Sequence, residues 1–153
     1  MLALLAGSIL SPVGAGERMA LGAGASAGAD FQRAAGDRVF FSESSAALGA
    51  RARAALTTQA AWLLAHPSLF VTVEGHADDG GGPRQNLELS QRRAQAVRRT
   101  LIELGVAGEK IGTVAFGNTR PIARCLEAMC TAQNRRSITV PAASVARAAP
   151  VGE

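Results

Sequence analysis

The two side chains best suited to chemistry, Asp78 and Arg93, stand fifteen positions apart and flank a glycine-rich loop at residues 80–82. A carboxylate accepts hydrogen bonds from an ammonium, and a guanidinium donates two parallel bonds to a carboxylate. Held close together, this pair suits a small ligand that carries both signs of charge. The pair is equally suited to a structural role, as an ion pair that joins the loop to the helix after it.

A second combination, His76 with Asp78, invites a catalytic interpretation. The other histidine, His66, stands before Pro67 at a predicted helix end and adds nothing to a catalytic cluster. A histidine that local hydrogen bonds satisfy at a strand end is the more common case. We therefore expect no enzymatic activity and no cofactor. The alternative is a cell-envelope hydrolase that uses His76 and Asp78.

The hydrophobic pattern around these residues predicts an α+β domain. Short β-prone stretches predict strands at residues 38–41, 69–74, 111–116 and 137–140. Apolar residues spaced by three and four predict a helix over residues 48–63, and a second helix that starts between Asn86 and Ser90 and ends at Gly105. Residues 120–133 should form a loop with one helical turn. Strands joined through a helix should run parallel, so we predict a β-α-β-α-β-β order, with a mixed sheet and helices packed on one face.

The two ends of the chain lack such patterns. Residues 2–15 form an apolar run of signal-peptide length with no preceding Lys or Arg, and residues 16–37 are rich in Gly and Ala. We expect residues 1–37 to be a signal-peptide remnant and flexible linker, residues 38–140 to be the folded domain, and residues 141–153 to be a disordered tail. The apolar run is too short, and too interrupted by Gly and Pro, for a membrane-spanning helix.

The formal net charge of +4 comes almost entirely from scattered arginines, and the chain contains no Tyr and one Trp. Nucleic-acid binding normally relies on clustered basic residues and on aromatic side chains that stack on bases. The composition therefore argues against a nucleic-acid partner. It fits a mildly basic surface that faces an anionic cell wall or membrane.

Cys125 and Cys130 are the two cysteines of the chain. In an oxidising periplasm they would close a small disulfide ring, whereas in a reducing cytoplasm they would stay as thiols. No His or further Cys stands near them, so we expect no metal site. Their redox state is thus a marker of localisation.

Several spaced motifs together resemble the OmpA C-terminal-like peptidoglycan-associating domain. They begin with residues 75–78 (Gly-His-Ala-Asp), the glycine-rich loop and Asn86, and continue with residues 89–97 (Leu-Ser-Gln-Arg-Arg-Ala-Gln-Ala-Val). The order continues with residues 105–106, 111, 116–117, 121–122 and 134–136. The resemblance covers about residues 38–140, and it implies the same mixed-sheet fold.

The resemblance also implies a function, namely a non-catalytic module that anchors the envelope of a Gram-negative bacterium to peptidoglycan. In that family, residues at the positions of Asp78 and Arg93 hold the free end of meso-diaminopimelate in the stem peptide, and residues at the positions of Asn86 and Leu89 approach the same peptide. A helix-start cap for Asn86 and plain packing for Leu89 are the structural alternatives. Adjacent strand residues point to opposite faces, so we expect Arg135 to face the binding groove and its neighbour to face away.

Within the family, residues 38–41 (Arg-Val-Phe-Phe) and the cysteine pair most resemble the peptidoglycan-associated lipoproteins, Pal. This implies a periplasmic location in association with the outer membrane, and a partner in the Tol system such as TolB. A Pal protein carries a lipobox cysteine after its signal, whereas no cysteine precedes Cys125. The alternative is a wall-binding module of the porin or flagellar-stator type, outside the Tol system. Ser42 and Gly80 stand where Pal typically has Asp and Arg, which bears on ligand affinity.

Overall fold

A computed structural model describes residues 20–124 and 127–143. In chain order the elements are α1 (Ala20–Ala35), β1 (Arg38–Phe40), α2 (Ala50–Leu64), β2 (Phe70–Gly75), α3 (Pro83–Glu103), β3 (Ile111–Ala115), α4 (Ala128–Ala132) and β4 (Arg136–Ala142). A single turn of 3₁₀ helix, Gly108–Lys110, precedes β3. The predicted strands and both predicted long helices are present, and the predicted α+β class with a mixed sheet is confirmed.

The four strands form one sheet in the order β1-β4-β2-β3. Strand β4 pairs antiparallel with both β1 and β2, and β2 pairs parallel with β3. Strands β1 and β2 therefore run in the same direction, as their helical connection predicts, but the last strand of the chain lies between them. This central position of β4 places its first residue beside the end of β2, where His76 N donates to the Arg136 carbonyl at 2.9 Å.

The core lies between one face of the sheet and helices α1, α2 and α3. Val71 and Val73 of β2 are at most 1% exposed, as alternation along a half-buried strand predicts. The helices contribute apolar residues at spacings of three and four, which include Leu56, Ala60, Leu63, Ala94, Val97 and Leu101. The helical periodicity of the sequence thus identifies the buried faces of α2 and α3 correctly.

Helix α1 corrects the prediction of a flexible linker over residues 16–37, because residues 20–35 are helical. Phe31 is fully buried and meets the Trp62 ring edge-on, with the ring centroids 5.1 Å apart. Burying such a side chain contributes about 1.5–3 kcal/mol, which helps to offset the cost of ordering a Gly- and Ala-rich segment.

Pro141 and Ala142 belong to β4 and pair with β2, which corrects the predicted start of the disordered tail at residue 141. Residues 1–19 and 144–153 lie outside the described residues, so the signal-peptide remnant and the rest of the tail stay predictions. No helix in the part of the chain that the structure describes is long and apolar enough to cross a bilayer.

Helix α3 begins at Pro83, earlier than the predicted start between Asn86 and Ser90. Proline suits the first helical position, because its missing N–H would have no partner within the helix. The side chain of Gln85 accepts a bond of 3.2 Å from the backbone N–H just before Pro83 and so closes the helix start. The predicted end is confirmed, since Gly105 has a φ of +102° and takes the left-handed conformation that terminates helices.

Candidate binding site

The loop after β2 and the first turns of α3 border a cavity of about 320 Å³. The two elements approach closely at Gly75, where a Cβ would lie 1.9 Å from the Ser90 carbonyl oxygen, so that only glycine fits. The cavity is lined by Ser44, Asp78, Gly80, Gly81, Gln85, Asn86, Glu88, Leu89 and Arg92. Three of the predicted binding residues, Asp78, Asn86 and Leu89, therefore lie on the wall of one cavity.

Asp78 is 8% exposed, and both of its carboxylate oxygens already have a partner. Its Oδ2 accepts from Arg135 Nη1 at 3.2 Å, and its Oδ1 accepts a long bond of 3.4 Å from the Gly80 N–H. An ionised carboxylate offers about four acceptor positions, so capacity remains for an incoming donor. The ion pair at the site thus joins Asp78 to Arg135 rather than to Arg93. The Arg135 side chain therefore points towards the predicted binding site, where it meets Asp78.

Arg93 is fully buried and does not line the cavity. Its Nε, Nη1 and Nη2 donate to the carbonyl oxygens of Ser45, His76 and Ser42 at 2.8, 2.9 and 3.1 Å. Burial lowers the pKa of Arg93 to about 10, and the nearby Asp78 carboxylate opposes this shift. The guanidinium therefore stays charged at neutral pH. It ties the loop before α2 to the end of β2, and two of its five N–H groups remain for another acceptor.

One face of α3 forms the floor of the cavity. Asn86 is 3% exposed and donates from Nδ2 to the Gly81 carbonyl at 2.8 Å, which holds the glycine-rich loop rather than capping the helix. The structural alternative of a helix-start cap at Asn86 therefore does not hold, and the contact of Asn86 with the ligand stays a prediction. The sequence analysis did not identify two further residues of the cavity wall, Glu88 and Arg92. Helical spacing could have identified them, because Arg92 lies three positions after Leu89 and four after Glu88 and so shares their face of the helix.

His76 belongs to a different cluster from Asp78. Its Nε2 lies 3.5 Å from Glu74 Oε2, at the outer limit of a hydrogen bond, and its ring stacks on Phe116 with centroids 5.3 Å apart. Neither ring nitrogen has a closer polar partner among the described residues, so the predicted satisfaction by local hydrogen bonds is wrong. Contact with His76 lowers the pKa of Glu74 below 4.5, and burial opposes this shift. The His76–Asp78 pair that a hydrolase would need is not among these contacts.

The predicted disulfide falls partly outside the described residues. Cys130 lies in α4, within the loop that was expected to hold one helical turn, and it is disulfide-bonded. Cys125 lies outside the described residues, so the Cys125–Cys130 pairing stays a prediction. Within residues 20–124 and 127–143, no group of three or more His, Cys, Asp or Glu side chains is placed to hold a metal ion.

Comparison with known proteins places this geometry in a family. The family model described as the OmpA family matches residues 40–135. The peptidoglycan-associated lipoprotein of Rhizobium meliloti (strain 1021) is 42% identical over 125 residues, which cover 80% of this chain and 71% of that protein. The protein of the same name from Brucella melitensis biotype 1 is 43% identical over 132 residues, which cover 84% and 78% respectively.

Solved structures agree with these relatives. The crystal structure of the peptidoglycan-associated lipoprotein from Burkholderia pseudomallei matches with a TM-score of 0.66 and 34% identity, over 69% of this chain and 89% of that one. The C-terminal domain of Helicobacter pylori MotB matches with a TM-score of 0.65 at 23% identity, over 69% of this chain and 85% of that one, and this match shows the fold alone. Since the family model spans more than half of the chain and these relatives exceed 40% identity over most of its length, the chain belongs to the OmpA family.

Proposed function

We propose that this chain is a non-catalytic module that binds peptidoglycan by recognising the free end of meso-diaminopimelate. The observation that carries the proposal is the position of Asp78, a carboxylate on the wall of a 320 Å³ cavity with buried positive charge behind it. The names of the relatives from Rhizobium meliloti and Brucella melitensis, peptidoglycan-associated lipoprotein, support peptidoglycan as the polymer that is bound.

The free end of diaminopimelate is a zwitterion, and the site offers a matching charge for each of its groups. Asp78 accepts hydrogen bonds from the ligand ammonium, while Arg135 keeps the carboxylate oriented. The ligand carboxylate binds the two unused N–H groups of Arg93, once the loop at residues 42–45 gives access to them. Asn86 and Leu89 contact the rest of the stem peptide. Each charge-assisted contact contributes about 1.5–3 kcal/mol, so a single site binds modestly and the repeating wall supplies avidity.

The same proposal includes the cellular setting. Peptidoglycan recognition places the module in the periplasm, in association with the outer membrane, as a Pal-like component of the Tol system with TolB as a partner. A wall-binding module outside the Tol system is the alternative, and a 72-residue match at 46% identity to outer membrane porin F of Pseudomonas aeruginosa supports it. Co-purification with TolB from envelope extracts distinguishes the two settings, since only the first predicts a stable complex.

Co-sedimentation with purified sacculi tests the ligand. Wild-type protein should pellet with diaminopimelate-type wall and not with lysine-type wall, which lacks the second carboxylate. Asp78→Asn keeps the shape and removes the charge, and binding should fall roughly tenfold or more. The matched control is Asp79→Asn, because the Asp79 side chain bonds Asn118 at 2.9 Å and does not line the cavity.

Two outcomes would contradict the proposal. One is equal pelleting of Asp78→Asn and wild type, which would leave the Asp78–Arg135 pair with a structural role only. The other is the release of soluble muropeptides by the purified protein, which would indicate a hydrolase.

A further inference from the structure

A second concavity lies between strand β1 and the first turns of α2. It has a volume of about 410 Å³, and its lining includes Arg38, Phe40, Phe41, Arg51, Ala52 and Arg135. We call it the β1–α2 groove. It differs from the cavity at Asp78, although Arg135 contributes to both. Nothing in the proposed recognition of diaminopimelate uses it.

One wall of the groove is an unpaired sheet edge. Strand β1 is the outermost strand, and its ladder to β4 includes bonds from Thr139 N to the Asp37 carbonyl and from Phe41 N to the Arg135 carbonyl, both 2.8 Å. Backbone groups of an antiparallel strand alternate between the two sides. The N–H and C=O groups of Arg38 and Phe40 therefore point away from β4, towards the free edge.

The charge of the groove has one sign. Three guanidinium groups line it, those of Arg38, Arg51 and Arg135, and no Asp or Glu is among the lining residues. Arg38 and Arg135 already pair with carboxylates outside the lining, those of Asp37 at 3.4 Å and Asp78 at 3.2 Å, so the charge that a ligand meets comes chiefly from Arg51. Arg51 has no hydrogen bond or ion pair within the part of the chain that the structure describes. It also lies in the first turn of α2, which contains no acidic residue. A positive charge at a helix start opposes the helix dipole, and a bound anion would remove this cost.

We propose that the β1–α2 groove binds an acidic, extended peptide segment of a partner protein, which adds to β1 as a fifth strand of the sheet. A free edge offers donors and acceptors in alternation, and a peptide backbone satisfies both, whereas a phosphate or a glycan carboxylate satisfies donors only. Carboxylates on one face of the added strand face Arg51 and Arg135, because Arg38 lies on the opposite face of β1 from the buried Val39. This site does not rest on the proposed wall binding, although it shares Arg135 with the cavity at Asp78.

The first test uses a defined probe, an end-blocked, fluorescein-labelled heptapeptide with Glu at odd positions and Val or Thr at even positions. Fluorescence anisotropy should show binding of this peptide and no binding of the same peptide with Lys in place of Glu. Arg51→Glu should weaken binding at least tenfold. Arg99→Glu is the matched control. Arg99 is exposed on α3, so this substitution makes the same change of charge away from the groove. Equal binding of the Glu and Lys peptides would overturn the proposal.

The second test detects strand addition itself. Only alternate residues of an added strand bond to β1, so N-methylation of one alternate set of the peptide should abolish binding and N-methylation of the other set should not. On the protein, Phe40→Pro removes one outward N–H and spares the ladder to β4, while Phe40→Ala removes only the side chain. Phe40→Pro should lose binding and Phe40→Ala should keep most of it. Equal binding by both methylated peptides would exclude strand addition.

Two controls separate this site from the wall site and from self-association. Arg92→Ala, a change on the cavity wall and away from the groove, should still bind the peptide, and soluble diaminopimelate muropeptides should not displace it. Displacement would assign the groove to the wall site and overturn the proposal. Sedimentation velocity without peptide should give the same species for wild type and Arg51→Glu. Self-association that Arg51→Glu abolishes would identify a second copy of this chain as the occupant instead.

Discussion

The cavity at Asp78 and the β1–α2 groove share Arg135 but differ in charge and in the constraint on their side chains. The cavity wall carries both signs of charge, in Asp78, Glu88 and Arg92, and its two carboxylates are held by ion pairs to Arg135 and Arg84. The groove carries positive charge only; Arg38 and Arg135 pair with Asp37 and Asp78, and Arg51 is unpaired among the described residues. The cavity wall can therefore meet either sign of charge on a ligand, as the proposed zwitterion requires, whereas the groove attracts negative charge only.

The largest effect is expected from Arg93→Ala, which tests whether a buried guanidinium is what preorganises the cavity. The substitution leaves the carbonyl oxygens of Ser42, Ser45 and His76 without their donor, and it should lower the free energy of unfolding by about 3–5 kcal/mol. Urea denaturation followed by circular dichroism measures this change.

Two further variants sharpen the same measurement. Arg93→Lys keeps the charge but cannot span three carbonyl oxygens with its compact ammonium, so an intermediate loss is expected. Arg92→Ala, one position earlier and exposed, should cost less than about 0.5 kcal/mol. A loss below about 1 kcal/mol for Arg93→Ala would show that water replaces the guanidinium, and the cavity would then not depend on it.

Sequence reasoning predicted the residues of the cavity wall better than it predicted the buried position of Arg93 behind that wall. Asp78, Asn86 and Leu89 follow from a local motif on one loop and one helix, and the facing of Arg135 follows from strand alternation. The burial of Arg93 could not be predicted in this way. Its acceptors Ser42 and Ser45 lie about fifty positions away in the chain, and their placement depends on how the loop before α2 packs.

The fold likewise combines elements that local sequence patterns predict with elements that depend on long-range contacts. Helices α2 and α3 and strand β2 follow from hydrophobic periodicity, which is a local property. Helix α1 has few large apolar side chains, and its position depends on the contact of Phe31 with Trp62, about thirty residues away. The insertion of β4 between β1 and β2 likewise depends on pairing between distant segments, which no short pattern contains.

A smaller effect is expected from Arg92→Ala on wall binding, which tests whether the mixed charge of the cavity contributes to recognition. Arg92 lines the cavity and is exposed, so its attraction to the ligand carboxylate is screened by solvent and is on the order of 1 kcal/mol. Co-sedimentation should show about fivefold weaker binding to diaminopimelate-type wall. Arg99→Ala removes the same charge from the same helix outside the cavity and should leave binding unchanged. Equal losses for the two variants would mean that only the net charge of the helix matters.

The smallest effect concerns the cluster of Glu74, His76 and Phe116, which contributes to neither concavity and so serves as a reference for both. The folded-state pKa of Glu74 lies below its ordinary value of 4.5, chiefly through His76. Ionised Glu74 therefore stabilises the fold above pH 4.5, and this contribution disappears as the pH falls from 4.5 through the folded-state pKa. Urea unfolding should show wild type more stable than Glu74→Gln by about 0.5–1 kcal/mol at pH 7, with the gap closing as the pH falls below 4.5. A gap that widens on acidification would contradict the lowered pKa. A change in wall or peptide binding at pH 7 would show that this cluster is coupled to those sites, for example through the bond from Arg93 to the His76 carbonyl.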